Sequence, residues 1–289
     1  MKLIKSCEVP NGAKVEDLID TIIHGDCIEV MKKMPSAIVD MVFFDPPYFL
    51  QLPKEKKLIR WYVRTEVSSP EEYWDEFESW DEYDDFITKV LREVRRLMKP
   101  NATIWAIGTY HNIFRIGKIM QDLGFWILND VIWFKRNPMP NWLNVRLTNA
   151  TEILIWAVRD KGVKDYTYNR EYARNYSMED FNSKIALNVW RIPICMGEER
   201  LKDERGKRLH PTQKPEALLE RIIQISTKPG DLILDPMAGT GTTGVVAKRL
   251  GRHFIMIEKE EKYVKAMVER LKKIEGNLLG YLGTLDYGK

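Results

Sequence analysis

The sequence predicts an α/β fold, a mostly parallel sheet with helices on both faces. Three observations predict it. Apolar runs of strand length alternate with stretches of helical periodicity, the pattern of strands joined by covering helices. The runs VDMVFF and LIL are apolar without alternation, as in strands buried on both faces. Acidic loop motifs follow directly on these runs, where open α/β sheets bind their ligands.

Taken in order, the short apolar segment 21–23 precedes a helix from Ile28, and 39–44 is a buried strand. Residues 84–98 set Phe86, Ile87, Val90, Leu91, Val94, Leu97 and Met98 on one helical stripe that Pro100 stops. A strand at 103–107 and a helix at 112–121 follow, then two strands, 125–134 and 152–158, joined by a polar loop. The remainder reads as helix 217–225, strand 232–234, helix 242–250, strand 254–257 and a charged amphipathic helix at 260–274. Two stretches break the rhythm. Residues 49–82 mix basic, aromatic and acidic side chains, and residues 159–209 are polar and tyrosine-rich without sustained periodicity. Loops of that length in a compact domain are usually functional, so both are expected to be binding segments.

Composition narrows the function classes. The 289 residues are 44% hydrophobic and 30% charged, and no apolar run reaches a membrane span. The amino-terminal residues lack the apolar core of a secretory signal, which points to the cytoplasm. Three cysteines without a CxxC pair give neither a disulfide framework nor a zinc site, so no metal is expected. The net charge of +3 does not by itself indicate a polyanionic partner. Its distribution says more: ten acids and no base lie between 66 and 85, while 132–146 holds Lys135, Arg136 and Arg146 with no acid. Such blocks are either solvated faces or parts of a basic groove for nucleic acid.

Four motifs carry chemistry. Asp45-Pro46-Pro47-Tyr48 follows the strand VDMVFF. Its prolines remove backbone donors and stiffen the loop, leaving the Asp45 carboxylate and the Pro46 carbonyl as acceptors beside an aromatic face. That arrangement suits the exocyclic amino group of a nucleobase; a proline-rich turn capped by Asp45 is the structural alternative. In LILDPMAGTGTTG, an apolar strand ends at Asp235 and a turn through Met237, Ala238, Gly239 and Gly241 opens a helix at Thr242 and Thr243. This turn has no GK[ST] and no GxGxxG, so it is neither a Walker loop nor a standard dinucleotide fingerprint. Its helix amino-terminus can receive a carboxylate, and Glu258, 17 residues after Gly241, is placed to grip ribose hydroxyls. In HPTQKP, Lys214 offers a point charge and Thr212 a hydroxyl beside His210. In HGDC, Asp26 next to Cys27 either accepts from an adenine amine or caps the following helix.

Together these motifs resemble the β class of amino-group DNA methyltransferases, in which the DPPY box precedes the glycine loop; residues 108–141 are also similar to the cell-cycle-regulated adenine enzymes. The resemblance covers roughly residues 20–275. It implies a circularly permuted, Rossmann-like S-adenosylmethionine methyltransferase sheet with a small target-recognition insertion. The expected division is a catalytic half at 20–158 with a mobile loop at 49–82, a target-recognition region at 159–209, a cofactor-binding half at 210–275 and a tail at 276–289.

The implied reaction is direct methyl transfer to N6 of an adenine flipped out of double-stranded DNA. Asp45, Pro46, Pro47 and Tyr48 are the catalytic residues. Asp26, Cys27, Asp45, His210, Thr212, Lys214, Asp235, Met237, Ala238, Gly239, Gly241, Thr242, Thr243 and Glu258 are the cofactor-binding set. Cys27 and Cys195 have no covalent role. Lys135, Arg136, Asn137 and Asn141 are the candidate DNA contacts, and Trp133 or Phe134 forms either a pocket wall or strand core. The resemblance is compatible with a homodimer and with GANTC-like targets. Transfer to cytosine N4 competes with this reading, although that group more often has Ser first in the box. A non-catalytic DNA-binding protein of the same fold is a further alternative.

Overall fold

The structure, a computed structural model, describes residues 1–50, 77–140 and 145–284, with side chains as far as 274. Within them nine strands form one sheet: β1 (Lys2–Lys5), β2 (Thr21–His24), β3 (Val39–Phe44), β4 (Met98–Gly108), β5 (Trp126–Lys135), β6 (Thr151–Val158), β7 (Val189–Ile192), β8 (Leu232–Asp235) and β9 (His253–Glu258). Their order is β1-β2-β9-β8-β3-β4-β6-β5-β7. Every neighbouring pair is parallel except β4–β6 and β5–β6, so β6 alone runs backwards.

Helices cover both faces, and β3 shows why. Val42 and Phe44 point into one apolar layer with Val30, Ile87, Leu91 and Ile116, while Met41 and Phe43 point into the other with Leu218, Ile222, Val246 and Met267. The first layer is built by α2 (Cys27–Lys33), α3 (Trp80–Leu97) and α4 (Ile113–Asp122); the second by α6 (Glu216–Ser226), α7 (Thr242–Arg249) and α8 (Glu261–Thr284). A period of two with both phases apolar requires cover on both sides.

Several boundaries move for local reasons. Ser79 caps α3 by accepting from Glu82 N at 3.1 Å, so the helix begins four residues before the expected start. Its carboxyl end runs directly into β4, which therefore starts at Met98 rather than at 103. The short helix α1 (Val15–Leu18), strand β1 and two elements within 159–209 were not expected. Those two are α5 (Arg170–Phe181), which packs on α6, and β7, which extends the sheet beside β5. Asp180 joins them to the body: its carboxylate receives the Arg221 guanidinium from α6, and its Oδ2 accepts from Arg191 N of β7 at 2.8 Å. The expected recognition insertion is thus continuous with the sheet as far as Ile192. Residues 193–209 lie outside it, with an isolated Lys202–Arg208 bridge.

The unit from β3 through α3 moves to one side of the sheet, and the unit from β8 through α7 to the other. Neighbours β3 and β8 thus mark the switch point, beyond whose carboxyl ends such sheets bind ligands. Among the described residues no helix is long and apolar enough to cross a membrane, and no group of three or more His, Cys, Asp or Glu side chains could hold a metal.

Candidate active site

Four parallel neighbours, β2, β9, β8 and β3, end side by side, and each brings an acid to the same edge. Asp26 follows β2, Glu258 ends β9, Asp235 ends β8 and Asp45 follows β3. They line one cleft of about 310 Å³, which the HPTQKP segment closes from the side.

The Asp45-Pro46-Pro47-Tyr48 turn is tied down rather than merely stiff. The Pro47 carbonyl accepts from Tyr83 Oη at 2.9 Å and from Asn112 Nδ2 at 3.3 Å. Phe49 follows with φ of 48° and is packed against Trp80 and Tyr83, contacts that hold a backbone conformation few non-glycine residues adopt. Asp45 Oδ2 accepts from Lys214 Nζ at 2.7 Å; Oδ1 is buried with no hydrogen-bond partner among the described residues. Burial pushes the Asp45 carboxyl up and the adjacent ammonium pulls it back, burial prevailing. Burial also opposes the Lys214 charge, but Asp45 and Glu152 outweigh it and hold this lysine above its ordinary value. Tyr48 Oη donates to Glu152 Oε2 at 3.0 Å, and Glu152 Oε1 is paired with Lys135 Nζ at 2.8 Å.

The glycine turn is built on its acids. Asp235 accepts from Thr243 Oγ1 at 2.6 Å and Met237 N at 3.2 Å, and burial pushes its carboxyl up to about 7. Glu258 accepts from Gly239 N at 2.7 Å and Glu260 N at 2.8 Å; burial pushes it to about 7 despite these donors. Gly241 caps α7 at φ 77°, and a Cβ there would lie 2.3 Å from Met267 Cγ, so only glycine fits. Gly239, at φ 52°, faces His210 Nε2, 3.2 Å from where a Cβ would sit. The His210 ring packs on Tyr263 and accepts from Thr212 N; burial pulls it down to about 3, leaving a neutral imidazole. Thr242 Oγ1 donates to the Lys214 carbonyl at 3.2 Å, joining the glycine turn to HPTQKP.

The cleft gathers Asp26, Cys27, residues 45–48, His210, Thr212, Lys214, Asp235, Met237, Ala238, Gly239, Thr242, Thr243 and Glu258; Gly241 does not line it, and instead its N–H donates to the Ala238 carbonyl at 2.8 Å. Some assignments change. Asp26 Oδ1 caps α2 through Ile28 N and Glu29 N, so the capping alternative holds on this oxygen. Burial pushes the Cys27 thiol to about 12, too high for a thiolate nucleophile. Lys214 spends its ammonium on Asp45 and the Thr212 carbonyl rather than standing as a separate anion anchor.

Of the expected DNA contacts, Lys135 turns inward to Glu152 with its side chain only 12% exposed. Asn137 is likewise occupied, accepting from Ile194 N at 2.9 Å and donating to Met196 Sδ. Arg136 is exposed, and Asn141 lies outside the described residues. Trp133 is core, its indole donating to the Ile192 carbonyl, while Phe134 is on the surface. Residues 51–76 of the expected mobile loop also lie outside the described residues. Sequence reasoning passed over Tyr83, Asn112, Gln213 and Glu152. Two of them carried a visible signal: Gln213 lies inside HPTQKP, where it accepts from Leu201 N at 3.0 Å, and Glu152 is the single acid opening the apolar strand EILIWAV.

Comparison with known proteins joins this geometry to a family. Residues 39–269 match the N6/N4 family model described as DNA methylase. Type II methyltransferase M.HinfI of Haemophilus influenzae is 46% identical over 263 residues, 91% of this chain and 71% of that protein. Type II methyltransferase M2.LlaDCHI of Lactococcus lactis subsp. cremoris is 40% identical over 253 residues, 87% and 89% of the two chains. The solved complex of M1.HpyAVI with S-adenosylmethionine superposes with a TM-score of 0.61 at 28% identity, over 86% of this chain and 98% of that one. PvuII DNA methyltransferase (cytosine-N4-specific) shares the fold, with a TM-score of 0.64 at 21% identity over 86% and 85% of the chains. With four acids and a glycine turn converging where the sheet divides, and this likeness running through both halves of the site, the chain belongs to the N6/N4 family of DNA methylases.

Proposed function

We propose that this protein methylates the N6 amino group of adenine flipped out of duplex DNA, with S-adenosylmethionine as donor. The observation that carries the proposal is Asp45 Oδ1, a buried acceptor without a partner among the described residues, in a cleft shared with Pro46 and Tyr48. Aspartate rather than serine at this place supports adenine over cytosine.

The cleft fits the donor. Glu258 and Asp26 present carboxylates for nucleoside hydroxyl and amino groups, and Gly239 lines the cleft without a side chain. Asp235 and the HPTQKP segment would border the methionine portion. When bound, S-adenosylmethionine supplies a methyl group on a cationic sulfur, open to in-line attack.

The chain's own residues then do three things. Asp45 Oδ1 and the Pro46 carbonyl accept the two amino hydrogens, favouring a pyramidal nitrogen whose lone pair is directed outward. Such alignment contributes up to about 7–11 kcal/mol at the ideal limit. Lys214 holds Oδ2, which leaves Oδ1 for the amino group and keeps it in position to receive the proton the nitrogen sheds. Tyr48 offers a stacking face, worth about 1–3 kcal/mol against the cost of unstacking the base. Arg136, exposed at the end of β5, is available to the DNA backbone.

Unmodified duplex DNA incubated with labelled S-adenosylmethionine tests this reading. Incorporation should appear as N6-methyladenine after nucleoside hydrolysis and fall to background for Asp45→Ala. N4-methylcytosine in the product would overturn the adenine assignment, and undiminished incorporation by Asp45→Ala would overturn the catalytic one.

A further inference from the structure

We propose that Glu152, held by Lys135, is a positioning residue for methyl transfer: by accepting the Tyr48 hydroxyl it fixes the ring against which the target base stacks. The inference rests on the stacking role given to Tyr48 above.

The starting observation is a carboxylate where the sequence pattern wants an apolar side chain. Glu152 belongs to β6 and is 9% exposed. A carboxylate that deep is costly unless both oxygens are engaged. Here each oxygen has one partner: Oε2 takes the Tyr48 hydroxyl at 3.0 Å and Oε1 the Lys135 ammonium at 2.8 Å.

Sheet register, not side-chain flexibility, brings these groups together. Glu152 pairs with Trp133 across the β5–β6 ladder, and Lys135 N donates to the Ala150 carbonyl at 2.8 Å just beyond it. The ammonium therefore reaches the carboxylate from the adjacent strand. Tyr48, 104 residues away in sequence, arrives from the end of β3 on the turn pinned by Tyr83 and Asn112.

The consequence is a ring anchored at both ends. The backbone end is fixed because the Pro47 carbonyl has two donors, and the hydroxyl end is fixed by Glu152. The Lys214 ammonium stands 5.1 Å from the ring centroid, so the same phenol adjoins both ion pairs of the site. An aromatic platform with its tilt set before the base arrives loses less freedom on binding, and small misplacement of reacting groups is costly in rate. Burial, with Asp45 and Glu152 beside it, also holds the Tyr48 hydroxyl well above its ordinary pKa, so it remains a donor.

A purely structural strut between β6 and the Tyr48 turn would have the same contacts, so the test must separate the two. Three variants of the full chain are compared: Tyr48→Phe, the pair Lys135→Met with Glu152→Met, and all three changes together. Replacing both charges avoids leaving one buried without its partner. Each of the first two should lower single-turnover kcat at least about threefold, with S-adenosylmethionine affinity unchanged. The triple variant should be no slower than the slower of them, because one hydrogen bond is lost in each. Glu152→Gln combined with Lys135→Met, which keeps an acceptor for the hydroxyl and leaves no buried charge without its partner, should recover part of the rate. Wild-type kcat in Tyr48→Phe overturns the proposal whether or not the other variants fold. So do losses that multiply in the triple variant, or a pair variant that melts lower but turns over normally. If the unmutated chain forms no N6-methyladenine, it is the reading of function that fails; if it forms it and these rates do not move, only the role of Glu152 fails.

Discussion

Lys214 serves two sides of the site with one ammonium, bonding Asp45 Oδ2 at 2.7 Å and standing 5.1 Å from the Tyr48 ring centroid. Removing its charge should act on Asp45 first. Burial, with the Glu152 charge nearby, would then act on Asp45 without the opposing ammonium, so its pKa rises further from its ordinary value. The ionised carboxylate is the working acceptor, so the acid limb of the pH–kcat profile should move to higher pH in Lys214→Gln. Activity should fall more at pH 6 than at pH 8. An acid limb that stays in place would show that Lys214 does not tune Asp45. Breaking one side of a buried pair typically costs about 3–5 kcal/mol, so the variant should also melt lower. The sequence made Lys214 visible as a lysine in a motif, but not its partner, which lies 169 residues away. Spacing within a motif shows what chemistry a residue offers; only the fold shows whom it meets. Lys135 makes the same point from the other side. In sequence it stands in an acid-free basic stretch, yet strand pairing turns it inward to Glu152.

Elements were legible where burial wrote a long pattern and illegible where it did not. The strands β3, β8 and β9 each sit where an apolar run stood in the sequence, because a strand covered on both faces has no polar phase. By contrast, β7 is no longer than β8 but is interrupted by the exposed Arg191, and α5 buries little beyond Ala173 and Ser177, so neither leaves an apolar run or a period. A polar clamp holds them instead. Asp180 receives two bonds from Arg221, and Asn169 donates to the Gln224 and Thr227 carbonyls at 2.6 and 2.8 Å. Both Arg221 and Asp180 have side chains only 6% exposed. Arg221→Met should therefore leave a buried carboxylate without its counter-charge, only the Arg191 N–H still bonding it, and destabilise the protein by about 3–5 kcal/mol. The loss should be local first: amide hydrogen exchange within 170–192 should accelerate before that of β3 or β8. Uniform acceleration, or none, would mean that the clamp does not hold this segment to the sheet.

At the scale of the whole molecule, parallel strands concentrate negative charge at one edge, and the protein carries a cost for it. Four adjacent strands lead into Asp26, Glu258, Asp235 and Asp45, and burial raises Asp235 and Glu258 to about 7. Acids raised in the folded state bind more protons there than in the unfolded chain. Their contribution to stability is therefore greatest below their ordinary carboxylate values and is lost as pH rises through about 7. A ligand with hydroxyl donors and a cationic sulfur has the opposite preference, since it favours these carboxylates ionised. S-adenosylmethionine should thus bind more tightly as pH rises, by roughly tenfold between pH 6 and pH 8 for a single group titrating near 7. Binding near pH 7 should release protons. Calorimetric titration in buffers of different ionisation enthalpy reads both quantities at once. Glu258→Gln should bind more weakly at pH 8 and lose much of the pH dependence, because the neutral amide cannot gain charge as the solution becomes basic. Equal affinity at the two pH values in the unmutated protein would show that the raised acids are not those that meet the donor.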